Sequence, residues 1–389
     1  MRTSSLLLVS ALSWSSACSG AATLDPLAPV PTRVDPSEIA TPALRVSWEI
    51  STTDEDGDRE VPTHAAAVGD RIIFVAYAGR LDALDLRGEK LWDAYQGDPL
   101  AFAPVAFRGG VALASGAGWL WLNGEGSASA FLELGDAVND ALVVPAGLVV
   151  VGSERIHLLT LSDTRSLSLA WTTVLGGGRR VGASTEGDAL YVTDENGGVT
   201  ALEAATGDVS WRSTEIEVAP LRPAVDRAVY VIDRGGRLHA LRRRDGHHMW
   251  GAKELGMRVE GSPAVHEGLV WVPGLDAAAH AFTTGAGSHQ FRIRGNGRVH
   301  LDIATWGPWV IVSPQYGPWV IVRGPRTRVG PSDPGAARVL NIGSDGDIAL
   351  PPAVGAAGVV VIDSAGSVRL LTLEQGVPDA DEAAEITGR

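Results

Sequence analysis

The sequence predicts an all-β fold, an eight-bladed β-propeller closed by an N-terminal strand. Three observations predict it. Large rings recur at one phase, at Trp92, Phe131, Trp171, Trp211, Trp250 and Phe291, about 40 residues apart. A second ladder keeps the same period at Leu84, Leu122, Leu161, Leu202, Leu241, Phe282 and Val322. The 389 residues include 47 Gly and 22 Pro, which mark many turns and therefore many short strands. Hydrophobic residues make up 45% and charged residues 20%, so the chain can bury a real core and is not a disordered polymer.

The elements follow in order. Residues 1–17 read as a secretory signal: Arg2 opens it, the run from Leu6 to Trp14 is apolar, and Ser15, Ser16 and Ala17 lead into Cys18. The apolar run is too short to span a bilayer. Cys18, the single cysteine, can form neither an internal disulfide nor a thiolate metal site by itself. Two readings of it stand. The segment resembles a bacterial lipoprotein signal, in which this cysteine becomes the lipidated first residue, although Ser15 stands where that signal usually carries Leu. The other reading is plain signal cleavage, with Cys18 a bystander. Residues 18–42 are rich in Ser, Ala, Thr and Pro and read as an extended tether. The propeller is expected over 43–376 and an acidic tail over 377–389.

Repeat units are expected at 62–95, 101–134, 139–174, 181–214, 219–253, 260–294, 299–331 and 346–376. The pattern is clearest in 189–211. Ala189–Thr193 reads as a strand and Asp194-Glu195-Asn196-Gly197-Gly198 as a hairpin turn needing positive φ. Val199–Leu202 is the return, Thr206-Gly207-Asp208 turns again, and Trp211 sits on the outer strand. In 307–322 two copies of Gly-Pro-Trp-Val-Ile-Val flank Ser313–Tyr316 and read as a hairpin. The last unit lacks its closing aromatic. Leu44–Ile50, carrying Trp48, reads as the missing strand, and its pairing there would leave no open edge. A seven-bladed ring with a loose extra hairpin is the alternative.

The closing aromatics share a phrase, as in Ala201…Thr206-Gly207…Trp211, Ala240…Asp245-Gly246…Trp250 and Ala281…Ala286-Gly287…Phe291. The small Ala is expected to let the indole of a neighbouring blade lie flat, and the Gly to supply the tight turn. Trp48, Trp92, Phe131, Trp171, Trp211, Trp250 and Phe291 are therefore expected to dock blade on blade, as structure and not as a ligand site. This phrase resembles the tryptophan-docking motif of the pyrroloquinoline-quinone-type propeller repeat, over nearly the whole chain from Trp48 to residue 376. Two branches of that family bear on function. Quinoprotein dehydrogenases hold their cofactor between a Trp and a disulfide of adjacent cysteines, beside calcium. The BamB-type outer-membrane assembly lipoproteins are non-enzymatic.

With one cysteine, the adjacent-cysteine arrangement is impossible here. A net charge of −14 argues against a broad nucleic-acid face. No catalytic set emerges. His247-His248 reads as a solvated turn, His266-Glu267 lacks a zinc-helix partner, and Gly295-Asn296-Gly297 reads as a turn. The run Asp54-Glu55-Asp56-Gly57-Asp58-Arg59-Glu60 reads as a solvated loop, its Gly misplaced for a calcium loop. Arg242, Arg243 and Arg244 with Arg234 and Arg237 read as one basic patch.

The resemblance to the assembly lipoproteins implies a non-catalytic, periplasm-facing scaffold without cofactor or metal. It would be monomeric, held to the outer membrane by its lipid alone, with the periplasmic domains of the assembly barrel as protein partner. By blade count the family's contact loops fall at Arg179, Arg180, Glu215 and Glu217. The alternative is a propeller that binds a small molecule or calcium, related to the dehydrogenases.

Overall fold

A computed structural model describes residues 44–53, 59–68, 72–95, 100, 103–115, 118–175, 181–255, 258–294, 296–307, 309–316, 319–323, 338–342 and 350–373. Among these residues all regular structure is strand; there is no helix. The fold is an all-β propeller. The strands form four-stranded antiparallel sheets, eight of them among the described residues. Sheets 1 to 6 occupy 64–95, 105–133, 138–174, 181–213, 224–254 and 264–294, with strand order following the chain. Sheet 7 takes its strands from 304–342 and sheet 8 from 353–373. The strand Leu44–Ile50 pairs antiparallel with Val368–Leu373 of sheet 8, placing Trp48 opposite Leu370. Arg369 reaches Glu49 at 3.1 Å across that pair.

The second strands explain themselves from sequence. Ile73–Ala76, Leu148–Val151, Val229–Ile232 and Val359–Ile362 are unbroken apolar runs, and all are buried. A half-buried strand would alternate; these do not, because both faces of each sheet are covered by neighbours. The core is accordingly divided among the gaps between sheets. Phe74, Ala76 and Leu81 of sheet 1 pack with Val111, Leu113 and Leu122 of sheet 2. Val360, Ile362, Val368 and Leu370 of sheet 8 pack with Ile73, Val75 and Leu84 of sheet 1.

The hairpins between second and third strands are closed by aspartates. Asp194 Oδ1 accepts the Gly198 N–H at 3.2 Å, Asp233 Oδ1 accepts that of Arg237 at 2.8 Å, and Asp363 Oδ1 accepts those of Ala365 and Ser367 at 3.0 and 2.9 Å. Gly197, at φ +87, takes the left-handed step the turn requires.

Three local readings change. Pro314–Tyr316 is not the tip of a hairpin but a short strand, and it pairs with Asn296–Val299. Gly295-Asn296-Gly297 is therefore not merely a turn, since Asn296 and Gly297 open that strand; Gly295 lies outside the described residues. The repeated Trp-Val-Ile-Val segments still pair with each other, Val310 opposite Val322, but the outer strand of sheet 7 is Arg338–Ile342, beyond the expected end at 331. Cys18 and the segments 1–17, 18–42 and 377–389 lie outside the described residues, as does the acidic run from 54 to 58. Arg59–Glu60 pairs with Thr52–Thr53.

Candidate functional site at the axial cavity and connector face

The outer-strand tryptophans seat on the next sheet. A Cβ built on Gly246 would stand 2.6 Å from the Trp211 ring, and one on Gly287 2.7 Å from Trp250. Trp171 covers Gly207, Trp92 covers Gly126, and Trp48 covers Gly88 of sheet 1 in the same way. Each indole N–H then donates to a carbonyl of the same turn. Trp48 reaches Leu86 at 2.9 Å, Trp92 Gly124 at 3.0 Å, Trp171 Ala204 at 3.3 Å, Trp211 Arg243 at 2.7 Å and Trp250 Thr284 at 3.1 Å.

The glycine is thus both the turn residue and the bare floor under the ring. The alanine has a different task from the one expected. Ala83 lies opposite Trp92, Ala201 opposite Trp211 and Ala240 opposite Trp250, each within one sheet. It forms the low point between two rings, so that Phe74 meets Trp92 at 5.6 Å, Tyr191 meets Trp211 at 6.1 Å and Tyr230 meets Trp250 at 6.2 Å.

Phe131 departs from the series. It is 60% exposed and does not dock. The turn it should cover, Ser162–Ser166, has no glycine; Arg165 takes the positive φ of 59° and lays its guanidinium 5.9 Å from the Trp121 ring. The indole and its glycine floor are missing together. Phe291 lies opposite Ala281 in its sheet; its side chain is outside the described residues.

The connector from sheet 4 to sheet 5 carries Glu215 and Glu217, both exposed. Its backbone is tied down on two turns. Val218 N–H donates to the Gly197 carbonyl at 3.1 Å, and Arg234 N–H donates to the Glu217 carbonyl at 3.0 Å. Arg234 also donates to the Glu195 carbonyl and stands 3.6 Å from the Glu217 carboxylate. Arg179 and Arg180 lie outside the described residues.

The expected basic patch does not form. Arg234 and Arg237 sit at one end of the strand Arg237–Arg242 and Arg242, Arg243 and Arg244 at the other, roughly 16 Å away at the rise of a strand. Arg243 works between sheets, donating to Tyr191 Oη at 3.1 Å and to the Glu186 carbonyl at 3.2 Å. Arg242 and Arg244 both pair with Asp245 at 3.1 Å.

The same connector runs inward to the axis. There the entry ends of the inner strands surround a cavity of about 240 Å³, lined among others by Ser184, Arg222, Pro223, Ser262, Asp302 and Pro352. Its wall is laced by hydrogen bonds from sheet to sheet. Arg222 N–H donates to Ser262 Oγ at 3.1 Å, and Ser262 N–H donates to Asp302 Oδ1 at 2.7 Å. Arg222 reaches over sheet 4 to the buried Asp140 of sheet 3 and binds it with both prongs, Nε to Oδ2 at 2.7 Å and Nη2 to Oδ1 at 2.6 Å. Burial alone would lower the Arg222 guanidinium, but the Asp140 carboxylate holds it above its ordinary value. Sequence reading missed this set. The signal was there as Arg222-Pro223-Ala224, Ser262-Pro263-Ala264 and Asp302-Ile303-Ala304, polar residues at one phase of the repeat.

The histidines pair along sheets 5 and 6. His248 opens the strand His248–Glu254 instead of lying in a turn, and its ring stacks on His239 at 5.4 Å. His239 Nε2 meets Asp233 Oδ2 at 3.1 Å. In sheet 6, His280 Nε2 meets both Asp276 oxygens at 3.2 Å and His280 Nδ1 meets His289 Nε2 at 3.3 Å. Burial first, and His280 next, push the His289 imidazole down to about 4. No group of three ligating side chains fit for a metal occurs among the described residues.

The family described as outer membrane protein assembly factor BamB matches residues 120–292. BamB of Shewanella oneidensis is 28% identical over 108 residues, 28% of this chain and 27% of that protein. A polyvinylalcohol dehydrogenase of a Pseudomonas species is 30% identical over 138 residues, 32% of this chain and 21% of that protein. The matched stretches thus span only about a quarter or less of these relatives. The crystal structure of BamB from Moraxella catarrhalis superposes with a TM-score of 0.64 at 15% identity, over 85% of this chain and all of that one. The chain is thus an all-β propeller that resembles BamB over residues 120–292 in sequence and over most of its length in fold.

Proposed function

We propose that this chain is an exported, lipid-anchored lipoprotein of the outer membrane that faces the periplasm and acts as a non-catalytic scaffold in outer-membrane protein assembly. Its body is an eight-bladed ring closed by Leu44–Ile50, its anchor is Cys18, and its partner contacts lie on the connector loops, at Arg179, Arg180, Glu215 and Glu217. The observation that carries this reading is the connector from sheet 4 to sheet 5. Two exposed carboxylates stand on a backbone tied to two neighbouring turns, so the loop is ordered before it binds and loses little entropy on docking. The resemblance to BamB supplies the partner, the periplasmic domains of the assembly barrel.

A second reading rests on the similarity to polyvinylalcohol dehydrogenase and on the axial cavity: a propeller holding a small molecule or calcium. Against its quinone form, the sequence has no second cysteine to build the adjacent-cysteine clamp. Capture of the assembly barrel by lipidated protein separates the two readings. The scaffold reading expects the barrel to co-purify with the wild type and to fall about tenfold or more with Glu215→Lys plus Glu217→Lys. Bound quinone or calcium in the purified protein, with no barrel captured, would establish the second reading instead.

A further inference from the structure

The outer strand of sheet 3, Leu167–Val174, differs from its counterparts. At 8 residues it is the longest strand among the described residues. It carries no charged side chain, whereas every other outer strand carries at least one, from Arg45 on the strand that joins sheet 8 to Arg338 in sheet 7. Charges on an edge strand keep its unpaired N–H and C=O groups from recruiting another strand. In sheet order this strand is last and pairs with Arg155–Leu161, so its far edge is open. The register sorts its side chains. Trp171 and Thr173 lie opposite Leu158 and Ile156 and are pinned on sheet 4, the indole over Gly207 and the Thr173 hydroxyl donating to the Gly207 carbonyl at 2.7 Å. Leu169, 48% exposed, and Val174, 67% exposed, lie opposite Leu159 and Arg155 on the other face. The edge is thus ordered, apolar and unguarded.

We infer that Leu167–Val174 pairs antiparallel with the same strand of a second copy of this chain, joining sheet 3 of each copy into one continuous sheet. Charge selects this occupant. In a two-fold contact each strand meets itself, so a charge near the axis faces its like. A strand such as His289–Arg294, with Arg292 and Arg294, repels its own copy; Leu167–Val174 does not. A foreign strand is selected by complementary charges, and this edge offers none. The net charge of −14 drives two copies apart wherever carboxylates meet, which favours a charge-free line of contact. An axis at Thr172, the middle of Ala170–Val174, sets Val174 of each copy against the small Ala170 of the other. The contact is independent of the scaffold reading and uses none of its loop residues.

The test follows the mass of the full chain by sedimentation velocity as concentration rises, with hydrogen exchange on the same samples. A single strand pair buries less than a standard interface, so the wild type should pass from monomer to dimer at about 1–100 µM. The amides of Leu167–Val174 should gain protection over that range. Thr172→Lys and Thr172→Glu should each weaken the dimer about tenfold or more. Thr172→Ala, which loses only the hydrogen bond to His157, should not. An equimolar mixture of the lysine and glutamate variants should dimerise again. If the charged variants at 172 do not fold, Val174→Lys, at an open position, takes their place. A wild type that stays monomeric, a dimer that survives the charged variants, or a dimer whose protected amides lie elsewhere overturns the inference. Protection of this strand only when the assembly barrel is added gives the edge to a foreign strand and overturns it as well.

Discussion

Trp211 and Gly246 act as one unit. The ring supplies buried area and the glycine supplies a floor without a Cβ, so each is useful only with the other. Trp211→Ala should cost about 3–5 kcal/mol. Gly246→Ala meets two penalties, a left-handed φ of +73° and a Cβ 2.6 Å from the ring. Gly187, at φ +62° with open space around it, meets only the first. Denaturant unfolding should therefore place Gly246→Ala about 1–3 kcal/mol below Gly187→Ala, the usual range for overpacking. In a Trp211→Ala background the two glycine variants should become equal; a difference that persists would mean that the ring is not what Gly246 accommodates. Phe131→Ala, at a side chain 60% exposed, should cost less than about 1 kcal/mol.

At the scale of the element, the outer strand His289–Arg294 of sheet 6 is held partly by a hydrogen-bonded chain that runs from His289 through His280 on the neighbouring strand to Asp276. The folded His289 titrates at about 4, below the ordinary 6.5 of an unfolded histidine. Between those values the unfolded chain binds the extra proton and the folded chain does not. Stability from this group is complete above about 6.5 and is lost as pH falls toward 4. His157 and His239 are also lowered by burial and act in the same direction. Melting temperature should fall as pH drops through this window, and His289→Gln should flatten the slope. An unchanged slope in the variant would show that His289 does not couple to folding.

For the molecule as a whole, the decisive joint is between sheets 8 and 1. Trp48 lies on the strand paired with sheet 8 and donates its N–H to Leu86 of sheet 1 at 2.9 Å. If this contact closes the ring, the two ends of the chain hold each other, and loss of one loosens both. Trp48→Ala should cost about 3–5 kcal/mol, as at the other seats. It should also expose 350–373 to protease before the sheets on the far side are cut. Equal protease resistance of wild type and variant would argue that sheet 8 is held without this strand.

The strands of the first six units, the forty-residue period and the seats of Trp92, Trp171, Trp211 and Trp250 were legible in the sequence, because a repeat writes the same local demands in each unit; around sheet 7, where the chain departs from the repeat, they were not. The local failures have equally physical causes. Phe131 has the right phase, but docking depends on a glycine in the next unit, and Arg165 stands there. The five arginines of sheet 5 are close in sequence, yet one strand separates them into two groups at opposite ends. Asp140 and Arg222 lie two units apart, and only the curvature that brings inner strands together at an axis lets one guanidinium bridge them. Sequence alone thus determined the strands of the regular units and the seats of their tryptophans, since those demands are local and periodic. Tertiary structure alone decided what faces the cavity, since that depends on the angle between sheets, which no single repeat encodes.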